Sequence, residues 1–184
     1  MPTPQDLELM RAAFRDVHAA RLHGFALLVT LGDRPRASAA AGRALAEGSR
    51  RMSELRHPDR AAAWLRSRVV RRLGGGHFSA SLGPLRALGV DDALLEALRE
   101  LPVRERAALV ASSVEGFDAL DVATILGVSS VAARRLLSAA RRRFATAYAA
   151  APDDELRYGP LADRVLLVAA RGFAPRPAAR GPAA

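Results

Sequence analysis

Four arginines, Arg134, Arg135, Arg141 and Arg142, fall within nine residues, with Ser138 among them and Ser129, Ser130 and Ala132 just before. A guanidinium forks its N–H donors toward a phosphate or a base edge, and small hydroxyls add short polar contacts. The set therefore suits non-covalent recognition of a polyanion rather than the making of bonds. Charge is also sorted along the chain: eight acidic residues lie from Asp91 to Asp121, and none follows until Asp153. Such polarity is the footprint of a module that lays one edge on phosphates.

Groups for covalent chemistry are missing. The chain has no Cys, which removes disulfides, thiol nucleophiles and Cys-based zinc sites. His18, His23, His57 and His77 have no partners at ligand spacing, and the first two, five apart, fall on different faces of a helix. Ser112-Ser113 has no nearby His. Gly74-Gly75-Gly76 is not followed by the Lys that a phosphate-cradling loop needs, since the sequence contains no Lys at all. No catalytic residue, metal site or cofactor is expected.

The arginines need a frame. Asp118 stands where a helix N-cap belongs, with Asp121 three residues on to complete a capping box, so Ala119 to Leu126 reads as a short helix. Gly127 stops it in the left-handed conformation, and Ser129 caps a second helix. That helix turns Ala133, Leu136, Leu137, Ala140 and Phe144 inward at helical spacing and leaves the arginines outside. Two helices joined by a tight Gly turn, the second cationic, form a helix-turn-helix, the arrangement that places a helix in the DNA major groove.

The 184 residues, 50% hydrophobic and 26% charged, suffice for one medium domain or two small ones, and the net charge of +9 favours a polyanionic partner. Residues 1 to 9 lack a basic segment leading into an apolar one, so no secretory signal is expected. Apolar runs fall well short of the ~20 residues that span a bilayer, which predicts a cytoplasmic protein without a membrane partner.

No strand pattern occurs, and the fold expected is all-α. Residues 1–73 read as a first helical domain: one bent helix or two over 7–29, a turn at 32–35, an Ala-rich helix over 37–52 weakened by Gly42 and Gly48, and a helix over 60–73. In the last of these, Trp64, Leu65, Val69 and Leu73 turn inward, while Arg66, Arg71 and Arg72 lie outside. Residues 74–90, with their Gly, Ser and Pro, read as a flexible linker. Residues 91–150 form the helix-turn-helix domain, led by helices over 91–101 and 104–114. Residues 151–184 are an extension with one further short helix near 161–170 and a disordered Pro/Ala/Arg tail.

The motifs Leu98-Arg99-Glu100-Leu101-Pro102, Arg104-Glu105-Arg106, Glu115-Gly116-Phe117, Leu126-Gly127-Val128-Ser129 and Ala140 to Phe144 resemble region 4 of bacterial sigma factors of the sigma-70 family, in particular the small extracytoplasmic-function (ECF) class. Thr30 to Asp33, Ala37, Glu54 to Arg60 and Ala63-Trp64-Leu65 follow the order of sigma region 2. The resemblance implies a transcription protein whose region 4 reads the minus-35 element and whose region 2 binds the polymerase clamp and opens the minus-10 element. It places Trp64, Arg66, Arg71 and Arg72 near the strand-opening surface. Promoter DNA, core RNA polymerase and a regulatory protein of the anti-sigma kind are the partners it implies.

This chain departs from the family where an acidic clamp-binding patch is usual and Ser38, Ala39, Gly42 and Arg43 stand instead. Region 2 is thus divergent, and weaker polymerase binding than in a typical member is expected. A sigma-derived DNA-binding regulator that no longer engages polymerase, or a protein-interaction module built on sigma-like domains, are the alternatives.

Overall fold

The computed structural model describes residues 3–55, 57–74, 81–87 and 90–149. Within them the fold is all-α, with no strand: α1 (Pro4–Val29), α2 (Arg34–Arg50), α3 (Pro58–Leu73), α4 (Gly83–Arg86), α5 (Asp92–Arg99), α6 (Val103–Leu109), α7 (Ala119–Leu126) and α8 (Ser130–Ala149). The extension 151–184 and the residues around His77 lie outside the described residues.

The first segment is a single helix, held at its start by a Thr3–Asp6 capping box. Only its C-terminal part is buried, through Leu22, Phe25, Ala26, Leu28 and Val29. Leu31 and Gly32 then take positive φ, and the Asp33 carboxylate accepts from the Arg36 amide, so the chain reverses into α2. The α2 helix packs on α1 and on α3. Gly48 is the reason it can: a Cβ there would sit 2.8 Å from Leu65 Cδ2 and 3.0 Å from Phe14 Cε1. The weak helix former is a close-approach site between three helices. Gly42, by contrast, faces open space.

The segment read as a flexible linker is corrected over its described part. Residues 83–86 form α4, and Leu82, Leu85 and Val90 are buried in the common core, each such side chain contributing roughly 1.5–3 kcal/mol if exposed in the unfolded chain.

The second segment packs directly on the first, α3 against α7 and α1 against α6 and the π-helical turn Val110–Val114 that continues α6. Two buried arginines fasten this seam. Arg106 donates to the backbone carbonyls of Leu98, Leu101 and Val29 at 2.7–2.8 Å. Burial pulls its pKa down to about 10. The other is Arg66, and here the expectation of an outward arginine is corrected. Its guanidinium grips both carboxylate oxygens of Glu115 and stacks between the Phe25 and Phe117 rings, with 3% of the residue exposed.

Candidate nucleic-acid interface

Asp118, Gly127 and Ser129 take the places expected of them, but Asp121 does not complete the capping box, since only the Asp118 side chain accepts at the start of α7. Asp118 accepts from the amides of Leu120 and Asp121, both at 2.8 Å, and fixes the first turn of α7. Gly127 sits at φ 63°, ψ 43°, the left-handed position that a side chain would strain. The Ser129 hydroxyl accepts from the Ala132 amide at 3.2 Å and starts α8. Across the turn the two helices bend by 97°, within the range of DNA-binding helix pairs.

Burial then sorts the side chains. Val122, Ala123, Ile125 and Leu126 of α7 meet Ala133, Leu137 and Ala140 of α8 in the core, with Leu136 and Phe144 half-buried beside them. Phe144 and Tyr148 stack at 5.6 Å between centroids. Arg104 donates to the Leu126 carbonyl at 2.7 Å, closing the free C-terminal end of α7. The angle of α8 is thus set from the core side and from α6.

What remains outside is cationic. Ser129, Arg134, Arg135, Ser138, Arg141 and Arg142 are exposed, while Ser130 and Ala132 are half-buried. Arg134, Arg135 and Arg142 have no acidic partner among the described residues. Arg141 donates to the Ser112 hydroxyl at 3.3 Å, and Arg143 lies 3.7 Å from Glu105, so these two lean back toward α6 and its π-helical extension. Guanidiniums without counter-ions on one helix face can neutralise phosphates and fork onto guanine. Sequence reasoning missed Val131, which is 57% exposed in the second position of α8. It shares a face with Arg134, Arg135 and Ser138 by helical spacing, and that count was the signal available for it. An apolar group there can meet a thymine methyl.

Of the second predicted set, Trp64, Arg71 and Arg72 share one side of α3 and Arg66 does not. Trp64 is half-buried, with the Arg68 guanidinium 4.5 Å over its ring. Arg71 and Arg72 are exposed on that side, Arg72 paired to Glu47 at 3.0 Å. Arg66 lies two residues from Trp64, about 200° around the helix, and so points into the seam instead. It cannot serve an exposed strand-opening surface in this arrangement.

Ser38, Ala39, Gly42 and Arg43 are all exposed on α2. No cluster of three or more His, Cys, Asp or Glu side chains that could hold a metal occurs among the described residues. No single helix there is long and apolar enough to cross a membrane.

Compared with known proteins, residues 91–144 match the family described as Sigma-70, region 4. The match runs from the N-cap of α5 into α8 and contains the whole helix-turn-helix. No curated protein and no solved structure matches the chain.

Proposed function

We propose that this chain is a sigma-factor-like transcription initiation protein of the ECF class, which binds promoter DNA and brings core RNA polymerase to it in the bacterial cytoplasm. The observation that carries the reading is the α7–α8 pair within the region 4 match, presenting Arg134, Arg135 and Arg142 without counter-ions. In this reading Arg134, Arg135, Ser138 and Arg142 meet the upstream box with Val131, while Ser129, Ser130 and Ala132 place the start of α8 against the backbone. Arg141 adds a phosphate contact from its edge. The protein works by binding and needs no cofactor.

The N-terminal helices, residues 1–73, take the part of a divergent region 2, joined through residues 74–90 to the reader at 91–150, with 151–184 as an appended segment. Trp64, Arg71 and Arg72 remain the surface offered to a melted strand. Polymerase binding is weaker than in an ordinary sigma factor because the exposed face at Ser38, Ala39, Gly42 and Arg43 carries no carboxylate, and a regulatory protein of the anti-sigma kind modulates it.

A second reading, a sigma-derived DNA-binding regulator without productive polymerase contact, is favoured by the burial of Arg66 beneath Glu115. Transcription reconstituted with core polymerase separates the two. Start-site-specific transcripts that depend on this chain support the first; DNA binding without transcripts or polymerase binding supports the second.

A further inference from the structure

Carboxylates return to the sequence just beyond α8. None lies between Asp121 and Asp153, and then three stand in a row, Asp153, Asp154 and Glu155, before the next arginine at 157. They begin four residues past Ala149, where α8 ends among the described residues. Pro152 precedes them, and a proline holds the residue before it away from helical dihedrals. The sequence therefore predicts that the triplet leaves the axis of α8.

Its reach is short and known. An extended chain covers up to about 3.5 Å per residue, which puts the triplet within about 14–21 Å of Ala149. Arg142 and Arg141 stand seven and eight residues before Ala149, about 10–12 Å back along the helix. Between them and the helix end the same face presents Ala145, exposed and too small to obstruct a chain lying back along it.

Charge favours that path. Arg142 has no acidic partner among the described residues, and Arg141 donates to the Ser112 hydroxyl rather than to a carboxylate. Glu100 shares a groove with Arg142 and Arg143, and Glu105 is drawn by Arg143 at 3.7 Å, but neither pairs with Arg141 or Arg142. The negative end of the α8 dipole disfavours carboxylates beside it, so guanidiniums two turns back are the better partners. A short tether holds the triplet near them at an effective concentration on the order of millimolar, which lets individually weak surface pairs form.

We propose that Asp153, Asp154 and Glu155 fold back onto Arg141 and Arg142 in the free chain and stand where DNA phosphates would, an autoinhibitory contact that a duplex must displace. The inference rests on the reading of α8 as the DNA-binding helix.

The test uses the full chain and a mixed-sequence DNA duplex, with affinity followed by fluorescence anisotropy. Asp153→Asn, Asp154→Asn and Glu155→Gln combined should tighten binding by about three- to tenfold at low salt, and the gain should shrink as salt rises. Glu8→Gln, Asp16→Asn and Glu54→Gln remove the same charge from the N-terminal segment and should change affinity less than twofold, about the scale of one weak surface pair. Equal tightening by this control makes the effect one of net charge and overturns the inference. In a chain carrying Arg141→Ala and Arg142→Ala the tail substitutions should gain almost nothing; an undiminished gain overturns it too. The contact is also read without DNA. The chain has no Cys, so spin labels on Arg99→Cys and Leu156→Cys report one distance, which should lengthen when the triplet is neutralised. A distance indifferent to those substitutions overturns the inference even if the duplex binds as expected. No duplex binding by either chain overturns the reading on which it rests, whatever the labels show.

Discussion

Arg66 and Glu115, 49 positions apart, hold each other by both prongs of guanidinium and carboxylate, with side chains only 4% and 9% exposed. One comes from α3 and the other from the turn before α7, so the pair ties the helix-turn-helix to the N-terminal helices. Taking two charges out of water is costly, and the mutual attraction roughly offsets that cost only while both partners are present.

Removing one partner should therefore hurt more than removing both. Arg66→Met or Glu115→Leu alone is expected to cost about 3–5 kcal/mol, whereas the two combined should come close to the wild type. Urea denaturation of the four proteins completes the cycle. Additive losses in the double variant would show that the pair is not coupled.

Stability should depend on pH with two opposing slopes. Burial raises the Glu115 carboxyl above the ordinary glutamate value of 4.5, outweighing the Arg66 hydrogen bond and charge that pull it down. The folded chain then binds more protons than the unfolded one in the window above 4.5, so this group's contribution falls as pH rises through its folded value. His18 and His23 are both lowered from 6.5, chiefly by burial and secondarily by Arg66 and Arg34 respectively. Their contribution is undiminished above 6.5 and is lost as pH falls below it through their folded values. Denaturation midpoints over a pH series should show Glu115→Gln flattening the first trend and paired His→Asn changes at 18 and 23 flattening the second.

Two glycines six residues apart in α2 should respond to Ala with opposite signs. Gly42→Ala meets open space and should stabilise by up to about 1 kcal/mol through helix propensity. Gly48→Ala drives a methyl against Leu65 and Phe14, which should cost about 1–3 kcal/mol before that gain is counted. Melting temperatures that shift in the same direction would mean the helices can move apart freely at Gly48.

On DNA, the two kinds of group on α8 should separate by what they alter. Arg134→Ala and Arg135→Ala should each reduce the salt slope by about 0.9 if they meet phosphates; if one of them reads guanine, its loss instead costs about 1–3 kcal/mol at one base pair. Val131→Ser should leave the slope unchanged and weaken any preference for thymine at a single position. Binding selections on a randomised duplex, with anisotropy titrations, read both effects. A slope that falls with Val131→Ser but not with the arginines would move the phosphate contacts away from this face.

The parts of the fold that were legible in the sequence are those decided within a turn or two of chain. Asp118, Gly127 and Ser129 act on amides or dihedrals of their near neighbours, and α7 begins and ends where those residues place it. The inward and outward sides of α8 followed from spacing alone. What escaped was long-range. Nothing near Arg66 signals that Glu115 will meet it, and its outward reading gave way to an ion pair spanning the seam. Gly48 shows the same limit, since its neighbours Phe14 and Leu65 come from two other helices. In 74–90, Leu82, Leu85 and Val90 were outweighed by the surrounding glycines, although all three enter the core.

Arg106 gives the molecule a form of quality control. Its three acceptors lie at the end of α1 and around the end of α5, so all three carbonyls are in place only when both halves are assembled. Half-assembled states forgo the Val29 hydrogen bond and the apolar burial that goes with it. Heating should consequently give one calorimetric peak, with near-equal van't Hoff and calorimetric enthalpies, for a chain whose sequence reads as two beads on a string.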